Sequence, residues 1–134
     1  VRHPGRARLD GLDASEASGR AVPTMKKRVV CGLPVHTVTP VSLIATQRGG
    51  DLGYVRTLAG YFTRCGWNDA PPIVVNKHGR ILDGHHRRDA ALAAGLATVE
   101  VVGEGVYDSV ACGMRRDRMK RAFHRRVSSG SCRR

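Results

Sequence analysis

Apolar residues change their pattern several times along this chain. The first 22 residues mix Gly, Ser, Ala, Arg and Asp with almost no large apolar side chains. Such a stretch buries too little surface to offset the entropy of ordering, which predicts a flexible arm. Residues 29–38 are β-rich, with Gly32 and Pro34 as interruptions, and predict a first strand or hairpin. Thr39-Pro40 ends it, and a short apolar segment occupies 41–45. Gly49-Gly50 marks a loop and Asp51 is a candidate N-cap. Beyond it Leu52, Val55, Leu58, Ala59 and Phe62 recur at helical spacing until Gly66 supplies a left-handed stop. Asp69-Ala70-Pro71-Pro72 turns into Ile73-Val74-Val75, a continuous apolar run expected of a buried strand. Residues 76–79 read as a tight turn and Arg80-Ile81-Leu82 as the partner strand. A helix through 90–94 closed by Gly95, then a strand at 98–102, complete a strand–helix–strand unit. The order of elements predicts an α/β (α+β) fold, a mixed sheet packed with helices.

Composition narrows what such a domain does. At 134 residues the chain suits one domain of ordinary size. Aromatic residues make up only 4%, which disfavours a base-stacking platform. The longest apolar runs, 29–35 and 90–97, fall far short of the ~20 residues that span a bilayer, so no membrane partner is expected. The net charge of +12 is unevenly placed. Residues 1–28 hold seven basic against three acidic groups, a net of +4, and residues 115–134 hold nine against Asp117 alone, +8. The middle, 29–114, has seven of each and sums to zero. The chain therefore divides into a basic arm (1–28), a neutral domain (29–107) and a basic C-terminal helix and tail (108–134). In that last part Val110, Ala111, Met114, Met119 and Phe123 form a loose apolar stripe, fraying beyond Ser128. Around it, Arg115, Arg116, Arg118, Lys120, Arg121, Arg125 and Arg126 are candidate contacts to a nucleic-acid backbone. A solvated face, a membrane surface or an acidic protein would suit the same helix.

Cys31, Cys65, Cys112 and Cys132 are widely separated, with no Cys-x-x-Cys pair. Four cysteines can pair in three ways, but a domain of this size does not need staples, so reduced thiols are expected. With no basic-then-apolar leader opening the sequence at Val1, this points to a cytoplasmic protein.

The richest segment is Asp83-Gly84-His85-His86-Arg87, where a strand feeds a helix. The unpaired N–H groups and positive dipole end at such a joint attract an anion. Gly84 lets a ligand approach the backbone, Arg87 offers a planar fork to a phosphate, and a histidine can move a proton near neutral pH. Asp83 can hold Mg²⁺ beside a polyphosphate, or simply cap the helix. Adjacent histidines on a helix point in different directions, so His85 and His86 do not chelate a metal together and one of them is structural or solvent-exposed. His3, His36, His78 and His124 have no constellation around them.

Pro72-Ile73-Val74-Val75, Gly79-Arg80-Ile81-Leu82-Asp83-Gly84-His85-His86-Arg87, Ala90-Ala91 and Gly95 resemble the ParB/sulfiredoxin superfamily over roughly 35–102, most closely its ParB-like nuclease branch. The resemblance implies a nucleotide pocket at the start of that helix. Its branches differ at informative places. Sulfiredoxins have a reactive Cys where this chain has His85, and partition proteins carry Gly-Glu-Arg-Arg in place of Gly84-His85-His86-Arg87. The free serine kinases share a core matching Asp83, His86 and Arg87, but use an upstream Glu where Gln47 stands; Asp51 is a poor substitute if it caps a helix.

The resulting expectation is a plasmid- or phage-type ParB-like protein that binds ATP or another NTP and acts on nucleic acid, DNA rather than RNA, as an ATPase or nuclease. A protein partner in plasmid or phage machinery is a further candidate. Mg²⁺ on Asp83 and the guanidinium of Arg87 would neutralise developing charge. His86, or His85, would move the proton. Gly84, Gln47 and Arg48 would complete the phosphate site. The alternatives are a non-catalytic DNA-binding or inhibitor protein and a small-hydroxyl kinase. If charge and chemistry are separate, removing the last twenty residues weakens polyanion binding and spares turnover.

Overall fold

The fold is described by a computed structural model covering residues 28–47 and 50–132. The arm at 1–27, Arg48 and the last two arginines lie outside the described residues. The first strand pair is a hairpin of β1 (Val29–Val30) and β2 (Leu33–Pro34). Its two loop residues, Cys31 and Gly32, have φ of 55° and 79°, the positive values that a type I′ connection requires. Arg28 belongs to the folded part, because its carbonyl accepts from Val35 and its guanidinium pairs with Glu100.

A four-stranded sheet in the order β3-β6-β4-β5 forms the centre. It comprises β3 (His36–Val38), β4 (Ile73–Val75), β5 (Ile81–Asp83) and β6 (Val99–Gly103). β4 and β5 are joined by a turn in which Asn76 Oδ1 accepts from the N–H groups of His78 and Arg80. β6 returns parallel to β4 after the helix α2 (His85–Ala94), and β3 pairs antiparallel on its far side. Beyond β5, Ile44 bridges to Arg80, so the short apolar segment found in sequence lies along that edge. The mixed α+β architecture is as the order of elements implies.

Alternation along β4 explains why its run is apolar throughout. Ile73 and Val75 face a core built from Leu58, Tyr61 and Phe62 of α1 (Leu52–Cys65), Ala90 and Ala91 of α2, and Val99 and Val101 of β6. Val74 and Val102 point the other way, into a smaller cluster with Val30, Val106 and Cys112. A strand covered on both faces has no polar side to present. Asp51 caps α1, its carboxylate accepting from Tyr54 N–H at 3.1 Å. Gly66 ends that helix with φ 71° but ψ −169°, so the chain leaves extended rather than in the expected left-handed turn. Leu52, placed on the apolar stripe by spacing, is 68% exposed because it lies in the first turn, beyond the reach of the sheet.

The last helix, α3 (Val110–Ser129), departs most from expectation. Of the apolar stripe only Phe123 is buried, while Val110 and Met114 are 81% and 57% exposed. The buried side carries Cys112, Phe123 and Val127, and the last two join the main core. Phe123 stacks on Phe62 and meets Tyr61 edge-on at 5.6 Å. The phase is set by cysteine chemistry. Cys31 is bonded to Cys112 and Cys65 to Cys132, so the helix is stapled at its first turn and just past its Gly130 cap.

The expectation of reduced thiols is therefore overturned. Chain length overstated the core, since a 20-residue helix that buries only three side chains docks weakly by apolar contact alone. The argument for a reducing compartment, which rested on free thiols, loses that support. Among the described residues no helix is long and apolar enough to cross a membrane.

Candidate functional site

The joint between β5 and α2 is the floor of a cavity of about 330 Å³. Asp83 is the last strand residue and Gly84, not Asp83, is the N-cap. Gly84 sits at φ 116°, and a Cβ there would lie 2.9 Å from Arg87 Nη2 and 3.0 Å from Ile73, so both conformation and space demand glycine. This close approach holds Arg87 at 7% exposure against the sheet. One guanidinium nitrogen donates to the Pro72 carbonyl at 3.3 Å and lies 3.9 Å from Asp83, while Nε finds no partner among the described residues. Burial lowers the Arg87 pKa and Asp83 opposes that shift. A guanidinium that lines a cavity beside a helix N-terminus is suited to an anion.

Helix α3 supplies the opposite wall. Arg116 Nη2 donates to Asp83 at 2.8 Å and Lys120 Nζ at 3.1 Å. Burial would raise the Asp83 pKa, but Arg87, Lys120 and Arg116 together hold it below the ordinary carboxylate range. Farther along the same helix, His124 Nδ1 lies 2.9 Å from the hydroxyl of Tyr54 on α1. Burial, then Arg87 and Lys120, push the His124 pKa down. Burial raises that of Tyr54 against the pull of Arg87. The Tyr54 ring also takes His86 edge-on at 5.4 Å between centroids. Asp51, Tyr54, Asp83, Gly84, His86, Arg87, Lys120 and His124 all line the one cavity.

The two adjacent histidines do separate. His86 enters the cavity, where its Nε2 accepts from Asp51 N–H at 3.3 Å. His85 turns away and its Nε2 accepts from Thr46 N–H at 3.0 Å, while the Thr46 hydroxyl donates to the Ile81 carbonyl at 2.7 Å. His85 thus fastens the edge segment to the β5–α2 joint, and burial lowers its pKa. Gln47 is exposed and does not line the cavity.

Among the candidate backbone contacts, Arg116 and Lys120 are held by Asp83, and Arg126 by Asp69 at 2.8 Å. Arg115, Arg118, Arg121 and Arg125 are exposed. At about 100° per residue, Arg118, Arg121 and Arg125 fall within one narrow stripe opposite Cys112, Phe123 and Val127. The division of labour expected from charge distribution fails here. The basic helix is a wall of the cavity and part of the core, so removing residues 115–134 takes away Arg116, Lys120, Phe123, His124 and Val127 together.

Asp83 also fails the test as a Mg²⁺ ligand. Its oxygens are engaged by Arg116 and Lys120, with Arg87 close by, and a cation there would meet three others. No group of three or more His, Cys, Asp or Glu side chains among the described residues could hold a metal. The cavity's own positive groups are what can neutralise an anion.

Tyr54 and His124 escape a reading of the sequence because they stand 70 residues apart and neither lies in a local motif. The only hint is His124 following Lys120 by one helical turn.

The shifted groups set a pH dependence. His85 and His124 titrate lower in the fold than in the unfolded chain, so the unfolded state binds more protons. Their contribution is complete above the ordinary histidine value of about 6.5 and is lost as pH falls through their lowered values. Asp83 has the same sign and adds its loss below the ordinary carboxylate range. Urea midpoints are expected to fall steadily from pH 7 to pH 4, with a shallower fall near pH 6 in His85→Gln. A midpoint that rises on acidification contradicts these shifts.

Compared with known proteins, the chain matches no protein-family model and no curated protein at significant similarity.

Proposed function

We propose that the cavity binds a phosphate of a nucleotide or nucleic-acid strand and that the protein cleaves a phosphorus–oxygen bond there, on a ParB/sulfiredoxin-like plan. The observation that carries this reading is Arg87, a largely buried guanidinium that lines the cavity at the start of α2 and faces it together with Lys120. Lys120 adds charge from the opposite wall, and the volume accommodates part of a nucleotide rather than an extended ligand. The exposed arginine stripe of α3 favours a polymer over free ATP, because cations beyond the cavity can follow a backbone without reading its sequence. DNA is the substrate this arrangement suits best, with an NTP as the monomeric form of the same ligand. No step needs a metal.

The test measures binding of a fluorescent single-stranded oligonucleotide and hydrolysis of bis(p-nitrophenyl) phosphate in EDTA. Arg87→Lys keeps the charge but loses the fork, and is expected to reduce both by about tenfold or more. Arg118→Ala/Arg121→Ala/Arg125→Ala is expected to weaken oligonucleotide binding, flatten its salt dependence by about three phosphate contacts and leave the small ester unaffected. Wild-type protein that neither binds nor hydrolyses in low salt refutes the reading.

A further inference from the structure

We infer that Tyr54 is the nucleophile of a metal-independent strand cleavage, attacking a DNA phosphodiester to form a phosphotyrosyl link with His124 as its base. This rests on the phosphate-cleaving reading above and assigns its chemistry. Among the described side chains lining the cavity, Tyr54 alone carries a hydroxyl, and that hydroxyl lies 2.9 Å from His124 Nδ1. A nucleophile within hydrogen-bond reach of a base is the arrangement covalent catalysis requires. His86 is the weaker base, because its Nε2 already accepts from Asp51 N–H.

The pair is positioned rather than incidental. Tyr54 stands in the first turn of α1 with its N–H held by the Asp51 cap, and the His86 ring sets its edge against the phenol. His124 is fixed by α3, which Cys132 and Phe123 tie to α1. Arg87 and Lys120 share the cavity with the phenol, so the charge that builds on phosphorus meets cations the protein supplies. A nucleophile on the protein also removes any need for a 2′-hydroxyl on the strand, so DNA can serve as the substrate.

The step consumes no water and needs no metal or oxidant. Tyr54 Oη gives its proton to His124 Nδ1 and forms a bond to phosphorus, while the bond from phosphorus to the leaving deoxyribose oxygen breaks. The departing oxygen takes a proton from the Lys120 ammonium. Lys120 and His124 are one helical turn apart, so the proton on His124 passes back to Lys120 through solvent. The products are a tyrosyl phosphodiester and a free strand end with a hydroxyl.

The experiment uses a single-stranded DNA oligonucleotide with a different fluorophore on each end, incubated with the oxidised protein in EDTA and quenched in detergent. One fluorophore is expected to migrate with wild-type protein on a denaturing gel, and mass spectrometry to place the adduct on the peptide containing Tyr54. Tyr54→Phe is expected to give no adduct while binding the oligonucleotide within about twofold of wild type. His124→Gln is expected to form it at least tenfold more slowly. Cleavage by wild type and Tyr54→Phe alike, with no adduct, overturns Tyr54 as nucleophile and leaves the phosphate-cleaving reading standing. Binding with neither cleavage nor adduct overturns the nucleophile and confines the cavity to binding. No binding at all refutes both.

Discussion

Removing both disulfides, by reduction or in a variant with all four cysteines changed to serine, is expected to lower the unfolding free energy by about 4 kcal/mol or more. The bridges join residues 81 and 67 positions apart, and closing loops of that length restricts the unfolded chain by about 4–5 kcal/mol each on the chain-entropy account. Their loops overlap between Cys65 and Cys112, so the two contributions do not add in full. Set against a total of about 5–15 kcal/mol for a domain, either figure is large. The loss should also be local. α3 buries Cys112, Phe123 and Val127 along 20 residues, and without staples its hold on the sheet falls to those contacts and to ion pairs with Asp83 and Asp69. Amide exchange is thus expected to accelerate first in α3, before α1 and α2, when reductant is added. Phosphate binding should fall in step, since Lys120 leaves the cavity with the helix. A urea midpoint unchanged by reductant, or α3 amides as protected as those of α1, would show that apolar docking and ion pairs hold the helix without the disulfides.

The same helix shows where a reading of the sequence reaches its limit. Ile73-Val74-Val75, the Asn76 turn, the Asp51 cap and the Gly95 stop are local features, and each falls where spacing and turn chemistry put it. Asp83 to Arg87 is likewise a strand–helix joint with a glycine at the cap. In α3 apolar side chains scattered among many cations leave the buried face ambiguous. Choosing Val110 and Met114 over Cys112 and Val127 turns the helix the wrong way. Only the pairing of Cys31 with Cys112 settles it, and that contact spans 81 positions. Half of the cavity was hidden for the same reason. His124 and Tyr54 meet across two helices, and Arg116 and Lys120 look like free charges until the fold brings Asp83 to them. Net charge by region proved a poor guide to packing, because an ion pair joins a basic segment to a neutral one without altering either sum.

Asp83→Asn is expected to separate two roles for this carboxylate by moving stability and anion affinity in opposite directions. A catalytic acid or metal ligand, changed to its amide, loses turnover and gains nothing. Asp83 instead lies within 4 Å of Arg87, Arg116 and Lys120, which makes it the counter-ion that lets three cations share one corner of the fold. Breaking a buried pair of this kind costs about 3–5 kcal/mol. Asp83 and Lys120 are partly open to solvent, and the amide keeps one acceptor, so about 2 kcal/mol is the better expectation here. The same change leaves the cavity more positive by one charge at its floor. A phosphate then meets Arg87 and Lys120 without a competing carboxylate, and affinity for inorganic phosphate or an oligonucleotide should rise by roughly tenfold, or about 1.4 kcal/mol. The gain should shrink in high salt and at low pH, where the wild-type carboxylate is itself neutralised. Titration of both proteins with inorganic phosphate, beside urea unfolding without it, reads the two effects separately. Weaker phosphate binding by a folded Asp83→Asn protein would mean that Asp83 organises the site for its ligand, and the counter-ion role assigned to it would fall.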